Sequence, residues 1–296
     1  MAIEVKELMA KVGKIRILTN RLIDDELAGD YHSTFKGQGV EFDEVRPYTV
    51  GDDVRTIDWN VTARTGVPYI KRFAEERELT ILFVVDVSGS QCYGSVNRSK
   101  AELAAEVTAL LALTAIRNQD KIGLILFSDR IVKYLPPRKG RNSVMRLARE
   151  VLAADDLAEG GTDLEGALKF LNGVQKRRAV VFLVSDFLQT SQTFQTLLRT
   201  TSHHHDIVCV PVTDPAESVL PDVGLVELED PETGGLVLVD TSSRTVRRAF
   251  AEKAAAEREE LVRFFRKSGI DTLPIDTSRP YINEVRALFR RRARKH

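Results

Sequence analysis

Three apolar, β-branched runs constrain this chain more than any other feature. Residues 79–87, 179–184 and 207–212 carry almost no polar side chain. A strand with one face in water would alternate apolar and polar residues, whereas near-continuous apolar runs belong to strands covered on both faces. Around them lie segments with helical spacing, such as 100–117, where Leu103, Val107, Leu110, Leu111 and Thr114 share one stripe. Helices are also expected at 143–152, 162–174 and 194–204, and a strand pair at 122–127 and 131–135 around Ser128-Asp129-Arg130. This alternation predicts an α/β fold, a doubly wound, mostly parallel sheet with helices on both faces.

The first 78 residues have a different texture. Leu8, Val12, Ile15, Leu18, Leu22 and Leu27 recur at helical spacing and predict one or two amphipathic helices, with no indication of what covers them. Further on, Gly37, Gly39, Gly51, Gly66, Pro47 and Pro68 punctuate short extended runs at 40–42 and 69–73. The expected division is a small N-terminal helical and β region over 1–78, a main domain over 79–280, and a C-terminal helix with a basic tail over 281–296. After the third buried run we expect a strand at 236–240, a long charged helix at 244–267, a strand at 270–275 and a helix at 281–293.

Composition narrows the setting. Hydrophobic residues make up 43% of the 296, enough for a sizeable core and against global disorder. Lys plus Arg and Asp plus Glu both number 43, so net charge gives no general affinity for nucleic acid or anionic membrane. Cys92 and Cys209 stand far apart, which excludes a disulfide framework and suits a reducing compartment. Glu4, Lys6, Glu7, Lys11 and Lys14 interrupt what would be the apolar core of a signal peptide. No stretch reaches the roughly 20 apolar residues that span a bilayer. The expected address is the cytoplasm.

In an open parallel sheet, ligands collect beyond the carboxyl ends of the strands, above all where strand order reverses. Three oxygen-rich loops stand there. The first buried run ends in Asp86-Val87-Ser88-Gly89-Ser90, the second in Ser185-Asp186, and between them Gly160-Gly161-Thr162 delivers a hydroxyl at a helix start. Two carboxylates and three hydroxyls form an all-oxygen set suited to a hard cation, Mg²⁺ first, with Mn²⁺ or Ca²⁺ as alternatives. So few protein ligands leave a coordination position for an acidic group from a partner. Each residue also has an ordinary role: Thr162 with Glu165 matches a capping box, Asp186 can cap the next segment, and Ser88 with Ser90 suits a turn. Their grouping on the expected strand ends favours the metal.

Asp-x-Ser-x-Ser after an apolar strand, then a loop Thr and a strand-end Asp, resembles the metal-ion-dependent adhesion site of von Willebrand factor A domains at all five positions. The segments Gly39-Val40-Glu41-Phe42, Arg46-Pro47-Tyr48, Gly51 through Trp59 and Ala63-Arg64, with Asp214-Pro215 later, resemble the bacterial domain of unknown function 58 family. The resemblance covers most of residues 30–290. It implies a von Willebrand factor A-like domain, a cytoplasmic bacterial protein, and a MoxR-type AAA+ ATPase as partner in chaperone-like maturation or assembly. One departure is Ser185-Asp186-Phe187 where Thr-Asp-Gly is frequent. The carboxylate is kept, but the approach of the backbone to the ion is altered.

The functional expectation is a non-catalytic, metal-dependent protein-interaction module. The alternative is a Mg²⁺-dependent phosphoryl-transfer enzyme using a strand-end Asp. Ser88 stands where a phosphatase of the haloacid dehalogenase type would carry its second Asp, and no G-x-x-x-x-G-K-[ST] loop or G-x-S-x-G elbow is present. Arg46, Arg55, Asp58, Trp59 and Arg64 are candidates for a partner surface, although Arg and Asp at this density more often build a structural ion-pair network. His203-His204-His205 lacks the spacing of chelating histidines and reads as a solvated helix end. Arg290, Arg291, Arg292, Arg294 and Lys295 read as cations favourably placed at a helix C-terminus.

Overall fold

The computed structural model describes residues 5–22, 25–35, 39–76, 78–96, 98–154, 161–188, 190–229 and 235–294. Gly37, Gly160 and Lys295 lie outside them. In chain order the elements are α1 (Val5–Leu22), α2 (Asp25–Thr34), β1 (Gly39–Pro47), α3 (Trp59–Thr65), β2 (Tyr69–Glu76) and β3 (Thr80–Asp86). Next come α4 (Lys100–Arg117), β4 (Lys121–Phe127), β5 (Ile131–Arg138), α5 (Arg141–Ala153), α6 (Leu164–Val174) and β6 (Val180–Ser185). The series closes with α7 (Gln192–His204), β7 (Asp206–Thr213), β8 (Leu225–Glu229), β9 (Leu236–Asp240), α8 (Arg244–Lys267), β10 (Asp271–Thr272), β11 (Ile275–Asp276) and α9 (Ile282–Ala293).

The three apolar runs become β3, β6 and β7 in the middle of a sheet ordered β10-β7-β6-β3-β4-β5. All pairings along it are parallel except β4 with β5. A seventh strand, β11, pairs with β7 off this path; counting the six strands on the path along the chain from β3 gives the order 3-2-1-4-5-6, the doubly wound arrangement with its reversal beside β3. Successive residues of a strand face opposite ways. Leu82 and Val84 join Val181, Leu183 and Cys209 in a core closed by Leu168 of α6, Leu198 of α7 and Phe265 of α8. The alternate residues face the α4 side, where Phe83 stacks on Phe182 at 5.4 Å. Each such buried side chain contributes about 1.5–3 kcal/mol, so burial on two faces fixes the strand register firmly.

Residues 1–34 and 80–296 form one compact unit, and residues 35–79 another. This differs from the expected grouping of 1–78, because the apolar faces of α1 and α2 are used within the larger unit. Val12, Ile15 and Leu27 are buried, α1 packs on α4 and α5, and α2 packs on α9 and α4. Thr34 donates to the Phe289 carbonyl (2.8 Å), Tyr31 meets Phe289 edge to face, and Tyr31 donates to Asp120 (2.6 Å). Residues from 281 onward are therefore part of this unit. Arg292 is buried and pairs with Asp271 (2.9 Å) and Asp206, which adds buried ion pairs to its reading as a cation favourably placed at a helix C-terminus.

The smaller unit is an antiparallel β1–β2 ribbon with an irregularity between Phe42 and Glu44, together with α3. Asp58 caps α3 by accepting from the Asn60 and Val61 amides. Gly66 ends it at φ 73°, a left-handed conformation that glycine adopts without strain. In the larger unit the structure adds a strand that the sequence pattern did not predict. β8 pairs with β9 as a hairpin, its Leu225 and Leu238 more than two-thirds exposed.

His205 departs from the solvated helix end expected of the histidine run. His203 and His204 are exposed, but His205 is fully buried and, among the described residues, neither ring nitrogen has a hydrogen-bond partner. Burial, then the charges of His204 and Arg178, lowers its pKa to about 4. The unfolded chain, with a histidine pKa near 6.5, thus binds more protons than the folded one between those values, and stability falls as the pH drops through that window. Wild type is expected to lose about 3 kcal/mol more than His205→Leu between pH 7 and pH 4. Urea unfolding of both proteins across that range measures it. Parallel losses would show that His205 carries no such penalty.

Candidate metal centre

Asp86 is the last residue of β3, and the chain turns immediately beyond it. The Ser88 amide donates to Asp86 Oδ1 (2.9 Å), and a 3-10 turn over Gly89–Cys92 comes next. On the neighbouring strand, Ser185 ends β6 and donates its hydroxyl to Asp86 Oδ2 (2.6 Å). Asp186 is the next residue, and its Oδ2 accepts from Ser90 Oγ (2.7 Å), which lies 3.2 Å from Ser88 Oγ. Asp86, Ser88, Ser90 and Asp186 thus converge where β3 and β6 meet, at the reversal of strand order. All four are buried.

Thr162 is half-buried on the loop before α6 and lines a cleft of about 380 Å³ with Asp163, Glu165, Thr190 and Ser191. The Asp163 amide ties this loop to the end of β4 through the Ser128 carbonyl (2.7 Å). The expected Thr162–Glu165 capping box does not form. The helix starts two residues later, capped by Asp163 accepting from the Gly166 amide, while Glu165 accepts from Ser191 (2.6 Å).

Three residues of the centre were not foreseen from the sequence. Gln91 Nε2 donates to Asp186 Oδ2 (3.1 Å), while its Oε1 is buried without a hydrogen-bond partner among the described residues. Lys100, first residue of α4 and 1% exposed, places Nζ 2.9 Å from Asp186 Oδ2 and also on Glu217. Burial alone would depress its pKa, but the charges of Asp186 and Glu217 outweigh that and raise it. Burial first, and then the charge of Asp186, lifts Asp86 to about 7, against hydrogen bonds from Ser185 and Ser88 that act the other way. The signal available in the sequence was weak, because a Lys after a Ser N-cap reads as an ordinary exposed helix residue.

These residues fit a hard divalent cation. The donors are all oxygen: two carboxylates, the serine hydroxyls and the orphaned Gln91 carbonyl. Asp186 and Glu217 stand around Lys100, and the raised pKa of Asp86 reflects its burial and the negative charge of Asp186 beside it. The departure at Phe187 has a conformational counterpart. Its φ is 57°, the left-handed region that glycine favours, and its ring packs against Phe265 (5.4 Å, edge to face) and Phe194.

The other candidates lie in the smaller unit. Arg46 forms a two-pronged pair with Asp52 (2.9 and 2.7 Å), which its guanidinium and two hydrogen bonds from Thr49 hold at a pKa of about 2. Asp58 caps α3 and meets Lys71 at 3.3 Å. Both serve local structure, while Arg55, Arg64 and Trp59, the last 69% exposed, face solvent.

A family model described as a protein of unknown function, DUF58, matches residues 44–260. An uncharacterized protein of Mycobacterium tuberculosis is 30% identical over 284 residues, covering 96% of this chain and 89% of that protein. Among solved structures, the conserved hypothetical protein BatB of Bacteroides thetaiotaomicron is similar at 15% identity and a TM-score of 0.49, over 73% of this chain and 99% of that one. A von Willebrand factor type A protein of Catenulispora acidiphila is similar at 16% identity and a TM-score of 0.34, over 64% and 44% of the respective chains.

Proposed function

The chain belongs to the DUF58 family, with an α/β, von Willebrand factor A-like fold, and from that premise we propose that it is a non-catalytic, metal-dependent protein-interaction module. A divalent ion, Mg²⁺ in the first instance, is held by Asp86, Ser88, Ser90 and Asp186, with Thr162 as the fifth ligand and Gln91 beside them. The ion's chemical contribution is an open position for an acidic side chain of a partner protein. The observation that carries this reading is the convergence of two buried carboxylates and two serine hydroxyls at the point where strand order reverses. The family resemblance makes a MoxR-type AAA+ ATPase the partner to test first.

Calorimetric titration with Mg²⁺ and Mn²⁺ is the direct test. Wild type is expected to bind one ion and Asp86→Ala to lose at least about 100-fold in affinity, since half of the carboxylate charge is gone. Equal binding by the two proteins would remove the metal from this site. Pull-down of the ATPase only with metal and intact Asp86 would extend the reading to the partner. The phosphoryl-transfer alternative has less support. Asp86 is 2% exposed, with both carboxylate oxygens already accepting hydrogen bonds, and Ser88 stands where a general acid is required.

A further inference from the structure

Lys100 stands in a place that disfavours a cation twice over. It is the first residue of α4, where the helix dipole repels positive charge, and it is 1% exposed, where an unpaired ammonium would be strongly disfavoured. What holds it is a bridge between two carboxylates from different parts of the chain. Asp186 comes directly after β6, and Glu217 belongs to the 3-10 turn Pro215–Glu217 after β7. The same Asp186 oxygen also takes hydrogen bonds from Ser90 and Gln91. A cation approaching that oxygen meets one already in place.

We infer that Lys100 is an internal competitor for the metal position: a divalent ion that enters at Asp186 Oδ2, the oxygen the Ser90 hydroxyl also faces, must take that oxygen away from it, leaving Lys100 on Glu217 alone. The inference rests on the metal reading above and adds what limits the site's affinity. Glu217 is anchored for this purpose. Its other oxygen accepts from the Asp214 amide (3.0 Å), and Asp214 is itself buried and held by Ser95, Ala216 and Thr277. The carboxylate that keeps Lys100 is therefore fixed, and the one that gives it up is the metal ligand. Occupancy is thus set by a contest between two cations for one carboxylate, which favours an ion of high charge density over a monovalent one.

Two measurements test this on the full chain. By calorimetry with Mn²⁺, Lys100→Met, which keeps the length of the side chain, is expected to bind at least about tenfold more tightly than wild type. In wild type carrying ¹⁵N-labelled lysine, the Lys100 ammonium resonance, identified by its absence in Lys100→Arg, is expected to shift during Mg²⁺ titration with the midpoint of calorimetric binding. Charge acting through space also moves that resonance but leaves the scalar coupling across the Lys100–Asp186 hydrogen bond intact, so loss of that coupling at saturation is the result that marks displacement, and it does not depend on Lys100→Met folding. An unchanged or weaker affinity in Lys100→Met, or a resonance that stays put or a coupling that persists at saturation, overturns the inference while the metal reading stands. Binding by neither protein overturns both.

Discussion

Asp186→Ala is expected to lower the unfolding free energy of the metal-free protein by about 3–5 kcal/mol, while Asp86→Asn leaves it unchanged or raises it. The two carboxylates look equivalent as ligands, yet they differ in what they do when no ion is bound. Asp186 neutralises the buried Lys100, and removing it strands an ammonium on Glu217 alone. Asp86 has hydrogen-bond donors but, among the described residues, no cationic partner, and burial with the charge of Asp186 holds its pKa near 7. A carboxyl whose folded pKa exceeds its unfolded value contributes stability at low pH and loses it as the pH rises through the folded value. At pH 8 in EDTA, wild type carries that penalty and Asp86→Asn does not, a difference of about 1–3 kcal/mol. Urea denaturation of the three proteins decides it, and equal losses in both variants would mean that Lys100 does not depend on Asp186.

Phe187→Ala is expected to cost about 3–5 kcal/mol, and Phe187→Gly no more than that. Glycine at a buried position is ordinarily the worse replacement, because it adds freedom to the unfolded chain. Here the backbone sits at φ 57°, where any residue with a Cβ is strained by about 1 kcal/mol. Phenylalanine tolerates the strain because its ring fills the space between Phe194 and Phe265. Alanine keeps the strain and loses the ring, whereas glycine loses both. Urea midpoints with alanine clearly more stable than glycine would show that the conformation carries no strain.

These effects divide what the sequence discloses from what it hides. The central strands were legible because burial on two faces leaves almost nothing polar between their ends, and the convergence of Asp86, Ser88, Ser90 and Asp186 was legible because they end or closely follow such strands. Lys100 and Glu217 were not, since each looks like an ordinary polar residue beside a helix or turn and acquires its role only through long-range packing. His205 and Arg292 were hidden in the same way, by neighbours that are solvated. β8 escaped notice because its Leu225-Val226-Glu227-Leu228-Glu229 comes after a turn-rich stretch and buries little. For α1 and α2, an apolar stripe announces a covered face without naming the cover.

The pairing of β3 with β6 also makes the centre a record of folding. Its two carboxylates come from strands that are neighbours in the sheet although the hydrogen bond between Ser90 and Asp186 spans 96 residues of chain. A nascent chain released only as far as β5 holds one carboxylate and no site, however well its first strands have formed. An ion bound here would recognise only chains in which β6 has joined β3, and at a hundredfold excess over its dissociation constant it would add about 2.7 kcal/mol to those states and none to precursors without β6. Metal availability would then act as quality control on the chain, separating finished molecules from those still lacking β6.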